Sequence, residues 1–126
     1  MLAGGTGITP MYQVAVALLK DPKDRTKLSL VYGSLTEDDI LLRAELDALA
    51  EKYPDRFRVY HVLNTPPTGK TWHGGSGFIT RDVIEQKLPK PGPGVAVLRC
   101  GPPAMNDAMG AHLAAIGHEE QALFTF

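Results

Sequence analysis

Short apolar runs alternate with longer stretches of helical period along the whole chain, and no other feature narrows the fold as far. A strand, a helix and a second strand running the same way form a βαβ unit, and repeated units build a parallel sheet with helices on both faces. "KLSLVYG" (Lys27 to Gly33), "FRVYHVL" (Phe57 to Leu63), "GVAVLRC" (Gly94 to Cys100) and "ALFTF" (Ala122 to Phe126) read as strands, and the stub of Leu2 and Ala3 makes five. Met11, Val14 and Leu18 share one face of a first helix, predicted to begin with Thr9 as N-cap and Pro10 at the first helical position. Leu42, Leu46, Leu49 and Tyr53 mark a second helix, with Thr36 and Asp39 spaced as a capping box in which Asp replaces Glu. Thr80 is expected to cap a short third helix that closes before Pro89. A fourth runs from Pro102 and Pro103 past Met105, Met109, Leu113 and Ile116 to a cap at Gly117.

Two turns in this pattern carry unusual residues. In "LAGGTGITP", Gly4, Gly5 and Gly7 stand between a strand and a helix, where backbone can turn tightly and aim N–H groups at a phosphate. Pro10 stands where the third glycine of G-x-G-x-x-G would fall, so the turn reads either as a nucleotide site or as a tight structural βα turn. "CGPPAM" likewise ends a strand and opens a helix, which brings it to the same carboxyl edge of the sheet, the edge where open α/β sheets bind ligands. The long Pro- and Gly-rich stretch "NTPPTGKTWHGGSG", Asn64 to Gly77, has the character of a functional loop.

Other chemistries find less support. "PPTGKT" matches the end of a phosphate loop, but Asn64 replaces the leading glycine and no helix start follows, which excludes an NTP hydrolase. Glu37, Asp38 and Asp39 could reach a ribose, and read more simply as first-turn charge favoured by the helix dipole. His61, His73, His112 and His118 lack ligand spacing, so no metal site is expected. No Ser, His and Asp arrangement forms a nucleophile turn. Cys100 is the single cysteine, which rules out an internal disulfide and leaves a thiol that is either inert or part of the CGPP turn. The formal charge of -1 gives no basic field for nucleic acid, and no apolar run approaches the roughly 20 residues that span a bilayer. At 126 residues, 44% of them hydrophobic, the chain is the length of one globular domain.

Taken together, "AGGTGITPM", "VLNTPP" with Trp72 and "GFI" beyond it, "CGPPAM" and the terminal Phe126 resemble the pyridine-nucleotide half of the ferredoxin reductase superfamily. Within it they are most like the NADH-cytochrome b5 reductase family in its plant and algal forms. The resemblance spans essentially the whole chain and implies a three-layer α/β/α fold with a five-stranded parallel sheet, order 3-2-1-4-5. It makes residues 1–126 the NAD-binding domain, places an FAD-binding β-barrel upstream, and makes Met1 an internal methionine of a longer protein whose central strand is cut short here.

The resemblance also assigns roles. Gly4, Gly5, Thr6 and Gly7 would lie beside the NADH pyrophosphate, and Thr9 and Pro10 would approach nicotinamide and flavin. Cys100, Gly101, Pro102 and Pro103 would line the nicotinamide pocket with Met105 nearby, Cys100 placing the ring rather than attacking it, and Phe126 would lie near the flavin. Asn64 stands where many members carry an Asp that repels a 2′-phosphate, so with Lys70 in the same loop rejection of NADPH is expected to be weaker. The implied reaction is hydride transfer from NADH to FAD and then single electrons to cytochrome b5 or another haem protein, on the cytoplasmic side of the endoplasmic reticulum or the mitochondrial outer membrane. A nitrate reductase module and a nucleotide-binding module without catalysis are the rival readings. No membrane contact is expected from this segment, and without the barrel it is expected to lack turnover.

Overall fold

The computed structural model describes residues 1–126. Its elements are β1 (Leu2–Gly4), α1 (Ile8–Lys20), β2 (Leu28–Ser34), α2 (Arg43–Lys52), β3 (Phe57–Leu63), β4 (Gly75–Ser76), α3 (Arg81–Lys87), β5 (Val97–Cys100), α4 (Pro103–Ile116) and β6 (Leu123–Thr125). All strand pairs are parallel and the spatial order is β4-β3-β2-β1-β5-β6. The expected order of five strands is nested inside this one. The sixth strand, β4, comes from the stretch read as an irregular loop, where Gly75 and Ser76 pair with Val62 and Leu63. Glycine and serine carry no strand propensity, so only tertiary pairing makes this strand.

Strand alternation sorts the core into two layers. Ala3, Leu30, Tyr32 and Leu63 face α1 and α2 and pack with Met11, Leu19, Leu46 and Phe57. Leu2, Val31, Val62 and Val97 face α3 and α4 and pack with Ile84, Met109 and Leu113. Each fully buried Leu or Val contributes roughly 1.5–3 kcal/mol, and β1, with Leu2 and Ala3 wholly buried, belongs to both layers.

The helices begin and break differently from the sequence expectation. In α1 the N-cap is Gly7 and the first helical residue is Ile8, so Thr9 is not the cap and Pro10 lies third in the helix. Pro is tolerated there because first-turn N–H groups have no intrahelical partner. The earlier start makes Ile8, Met11, Ala15 and Leu19 the buried stripe, with Val14 and Leu18 half-buried at its flank. The second helix is not continuous from Thr36. Glu37–Asp39 form a single 3-10 turn, Ile40 is buried, and Leu42 sits at φ 55° before α2 starts. That left-handed residue costs on the order of 1–2 kcal/mol. It lets Ile40 point inward while Leu46 and Leu49 keep their own stripe. Thr80 caps α3 as expected, accepting from the Val83 N–H at 3.3 Å, and Gly117 ends α4 at φ 109°.

Arg56 closes the fold at the amino edge of the sheet. Its guanidinium donates to the Leu18 carbonyl at 3.1 Å, the Leu19 carbonyl at 3.4 Å and the Thr26 carbonyl at 3.3 Å, and meets Asp24 at 3.4 Å. It therefore satisfies carbonyls that the end of α1 leaves without partners.

Candidate functional site

At the carboxyl edge the chain leaves β1 through α1 toward β2 on one side, and leaves its neighbour β5 through α4 toward β6 on the other. Such a reversal opens a crevice, because the two connections depart to opposite faces. A crevice of about 290 Å³ lies there, lined by Gly4, Gly5, Thr6, Gly7, Thr9, Pro10, Cys100, Gly101 and Pro102. The two turns picked out in the sequence are thus its two walls.

Contact between the walls is backbone against backbone. A Cβ on Gly7 would collide with the Cys100 carbonyl, and one on Gly4 would collide with the Met105 sulfur. Gly5 is required for a different reason, since it sits at φ 55° with open space around it. No side chain caps α1, so the positive end of its dipole is directed at the crevice. Thr9 Oγ1 donates to the Thr6 carbonyl at 3.1 Å, bracing the turn rather than capping the helix. Cys100 is a half-buried free thiol.

Two residues that sequence reasoning passed over hold these walls in place. Tyr32 is wholly buried, its hydroxyl donates to the Gly5 carbonyl at 2.7 Å and accepts from the Leu41 N–H at 3.4 Å, and burial pushes its phenol pKa up. Asn106 donates through Nδ2 to the Gly101 carbonyl at 3.0 Å. A tyrosine inside an apolar strand and an asparagine inside a helix give no local signal of such bonds.

The remaining expected site residues lie around the crevice and not in its lining. Met105 abuts Gly4 and Gly101 from behind, and Pro103 is the exposed first residue of α4. Phe126 is 58% exposed just past β6, its N–H donating to the Arg99 carbonyl at 3.0 Å. Asn64 is exposed at the end of β3, where its N–H donates to the Ser34 carbonyl at 3.0 Å. Phe78, 79% exposed, follows β4 on the same edge; it belongs to the "GFI" of the resemblance, which assigned it no role.

Charge at this edge gathers away from the crevice, at the exits of β2 and β3. Glu37 Oε1 meets Lys70 Nζ at 2.6 Å and Arg43 Nη1 at 3.3 Å. The hydrogen bond from Lys70, then its charge and that of Arg43, outweigh desolvation and hold the Glu37 carboxyl below the usual range. Asp39 is occupied locally, its Oδ2 accepting from both Thr36 N–H, at 3.1 Å, and Thr36 Oγ1, at 2.7 Å. Lys70, expected to leave room for a 2′-phosphate, is thus engaged by an acidic partner. Nowhere do three His, Cys, Asp or Glu side chains come together as a metal centre requires, and no helix is long and apolar enough to cross a membrane.

The profile of the oxidoreductase NAD-binding domain family matches residues 1–110. Over 126 residues the chain is 57% identical to NADH-cytochrome b5 reductase 1 of Dictyostelium discoideum, covering all of itself and 43% of that protein. It is 49% identical to NADH-cytochrome b5 reductase 1 of Arabidopsis thaliana, again over its full length and 44% of the relative. The solved cytochrome b5 reductase domain of Ulva prolifera nitrate reductase superposes on all of the chain, and on 47% of itself, with a TM-score of 0.95 at 44% identity. The chain spans less than half the length of each of these proteins. Its doubly wound sheet, its glycine and CGPP walls at the switch point and the family match agree: the chain belongs to the oxidoreductase NAD-binding domain family.

Proposed function

We propose that this chain is the NADH-holding half of an FAD-dependent reductase of the cytochrome b5 reductase type. The observation that carries the reading is the crevice in which Gly7 packs directly on the Cys100 carbonyl, making one slot of two uncharged walls. The residues suit such a guest: glycines leave the backbone bare for a pyrophosphate, and the uncapped start of α1 supplies positive potential without a cationic side chain. Thr9, Pro10, Cys100, Gly101 and Pro102 offer an uncharged surface for a nicotinamide ring, with Cys100 as a positioning contact. Further along the edge, Asn64 offers a hydrogen bond to a ribose and Phe78 an exposed face for a base.

When bound, NADH supplies a hydride from its nicotinamide and FAD, held by a separate domain, receives it. The contribution of this chain is alignment and exclusion of water, which requires no acid or base among its side chains. Phe126, exposed at the β6 end of the same edge, is the proposed contact with that flavin, and a haem protein of the cytochrome b5 kind is the proposed final acceptor. The likeness to a nitrate reductase domain favours, as a second reading, a haem domain of the same polypeptide as acceptor.

Titration of the chain with ADP-ribose, followed by amide shifts, tests the site. Shifts concentrated at Gly4 to Gly7 and at Cys100 and Gly101 are expected, and their absence would overturn the reading. Joining the chain to an FAD-binding domain is expected to create NADH-dependent reduction of a haem acceptor, with none from either part alone.

A further inference from the structure

The charged cluster at the exits of β2 and β3 stands apart from the uncharged crevice, and the proposed site has so far no use for it. β2 and β3 remain zipped beyond their last residues, with Asn64 N–H donating to the Ser34 carbonyl at 3.0 Å and Thr65 N–H to the Leu35 carbonyl at 2.9 Å. Glu37 is therefore carried beside the chain that leaves β3. In dinucleotide-binding sheets the adenosine ribose lies over the strand exits next to the glycine turn, where an acid accepts from the 2′-hydroxyl or a cation receives a 2′-phosphate. Asn64 brings no charge to this place.

We propose that Glu37 is the residue by which this chain discriminates against a 2′-phosphorylated adenosine, and that it acts by binding Lys70 and Arg43. The inference rests on the nucleotide reading above. Both cations converge on one oxygen of Glu37, at 2.6 Å and 3.3 Å. The Arg43 guanidinium also lies 6.0 Å from the centre of the Trp72 ring, and Trp72 Nε1 donates to the Gly75 carbonyl at 3.0 Å. The loop carrying Lys70 is thereby fastened over α2 with its ammonium turned to the carboxylate. A phosphate monoester brings about two negative charges at neutral pH. Here it meets a carboxylate already holding both cations, followed in the chain by Asp38 and Asp39. To bind, it would have to take Lys70 from Glu37, and a charge-assisted bond of this kind is among the stronger ones.

The test compares ADP-ribose with its 2′-phosphate on the 126-residue chain, taking the ratio of the two dissociation constants by calorimetry or amide shifts. Wild type is expected to favour ADP-ribose. Glu37→Gln, which keeps the shape and removes the charge, is expected to move the ratio toward the 2′-phosphate by about tenfold. Adding Lys70→Met to that variant is expected to abolish most of the gain, which a merely structural role for Glu37 would not produce. If ADP-ribose binds and the ratio is the same in wild type and Glu37→Gln, the assignment is overturned alone. If neither ligand binds wild type, the nucleotide reading falls and takes the assignment with it.

Discussion

The crevice between β1 and β5 and the charged edge beyond β2 and β3 hold their shapes by different means. In the crevice, Gly7 lies backbone to backbone on the Cys100 carbonyl, Gly4 lies against the Met105 side chain, and no charged side chain is in the lining. At the outer edge, side chains reach across long sequence distances, as Lys70 does to Glu37 over 33 residues, and most of them are half-exposed. At Gly7 the first arrangement tolerates almost no change of residue, because the fit there is set by van der Waals radii. The second can be retuned by one charge. A protein that handles one ring in one orientation needs the first kind of construction around that ring, and can leave preference between related ligands to the second.

Gly7→Ala is the most severe way to break this contrast. The added methyl meets a carbonyl that belongs to β5 and cannot rotate away, so the two walls must separate. ADP-ribose binding is expected to fall by more than about a thousandfold, some 4 kcal/mol, as read by calorimetry. Gly5→Ala provides the control within the same turn. Its methyl meets nothing within 4 Å and only the positive φ opposes it, so a far smaller loss is expected.

These two regions also differed in how far they could be read from sequence. Glycines before α1 and the CGPP turn were legible because a strand followed by such residues has few conformations available, and both sides of the crevice were placed correctly from that alone. The parallel βαβ sheet was legible from the alternation of strand and helix patterns. The strand at Gly75 and Ser76 was not, because nothing in two small residues foretells pairing with Val62 and Leu63. The break at Leu42 was hidden as well: Leu42, Leu46, Leu49 and Tyr53 fit one helical stripe on paper, and nothing in that spacing foretells a left-handed residue at Leu42 with Ile40 buried just before it. Nor could sequence spacing show that Glu37 serves Lys70 and Arg43 rather than the helix dipole, since the partner loop is brought near only by the pairing of β3 with β2 and β4.

Trp72→Ala probes the outer edge by itself. Trp72 is half-buried against the core of the α1 and α2 face and donates to the Gly75 carbonyl at 3.0 Å, so its removal frees the loop and the edge strand together. The cost is expected near 2 kcal/mol, below the usual range for a fully buried aromatic. Amide exchange should accelerate at Gly75 to Gly77, while Gly4 to Gly7 keep wild-type protection. Equal acceleration at the glycine turn would mean that the two regions are one unit and that the contrast drawn between them is false.

The smallest predicted effect falls on the one hydroxyl that joins them. Tyr32 donates to the Gly5 carbonyl in the turn and accepts from the Leu41 N–H on the way into α2, so it couples the crevice to the segment carrying Glu37 and Arg43. Tyr32→Phe keeps the ring, which lies 5.9 Å from that of His61, and removes only these two bonds. Gly5 is exposed, so water can take over part of the lost bond, and the net loss is expected near 1 kcal/mol. ADP-ribose should bind about fivefold more weakly, a factor that corresponds to that energy, with the global fold intact by circular dichroism. The diagnostic result is the pairing of Tyr32→Phe with Glu37→Gln. If the hydroxyl transmits position between the two regions, the double variant departs from additivity; if it only supports the turn, the two losses add.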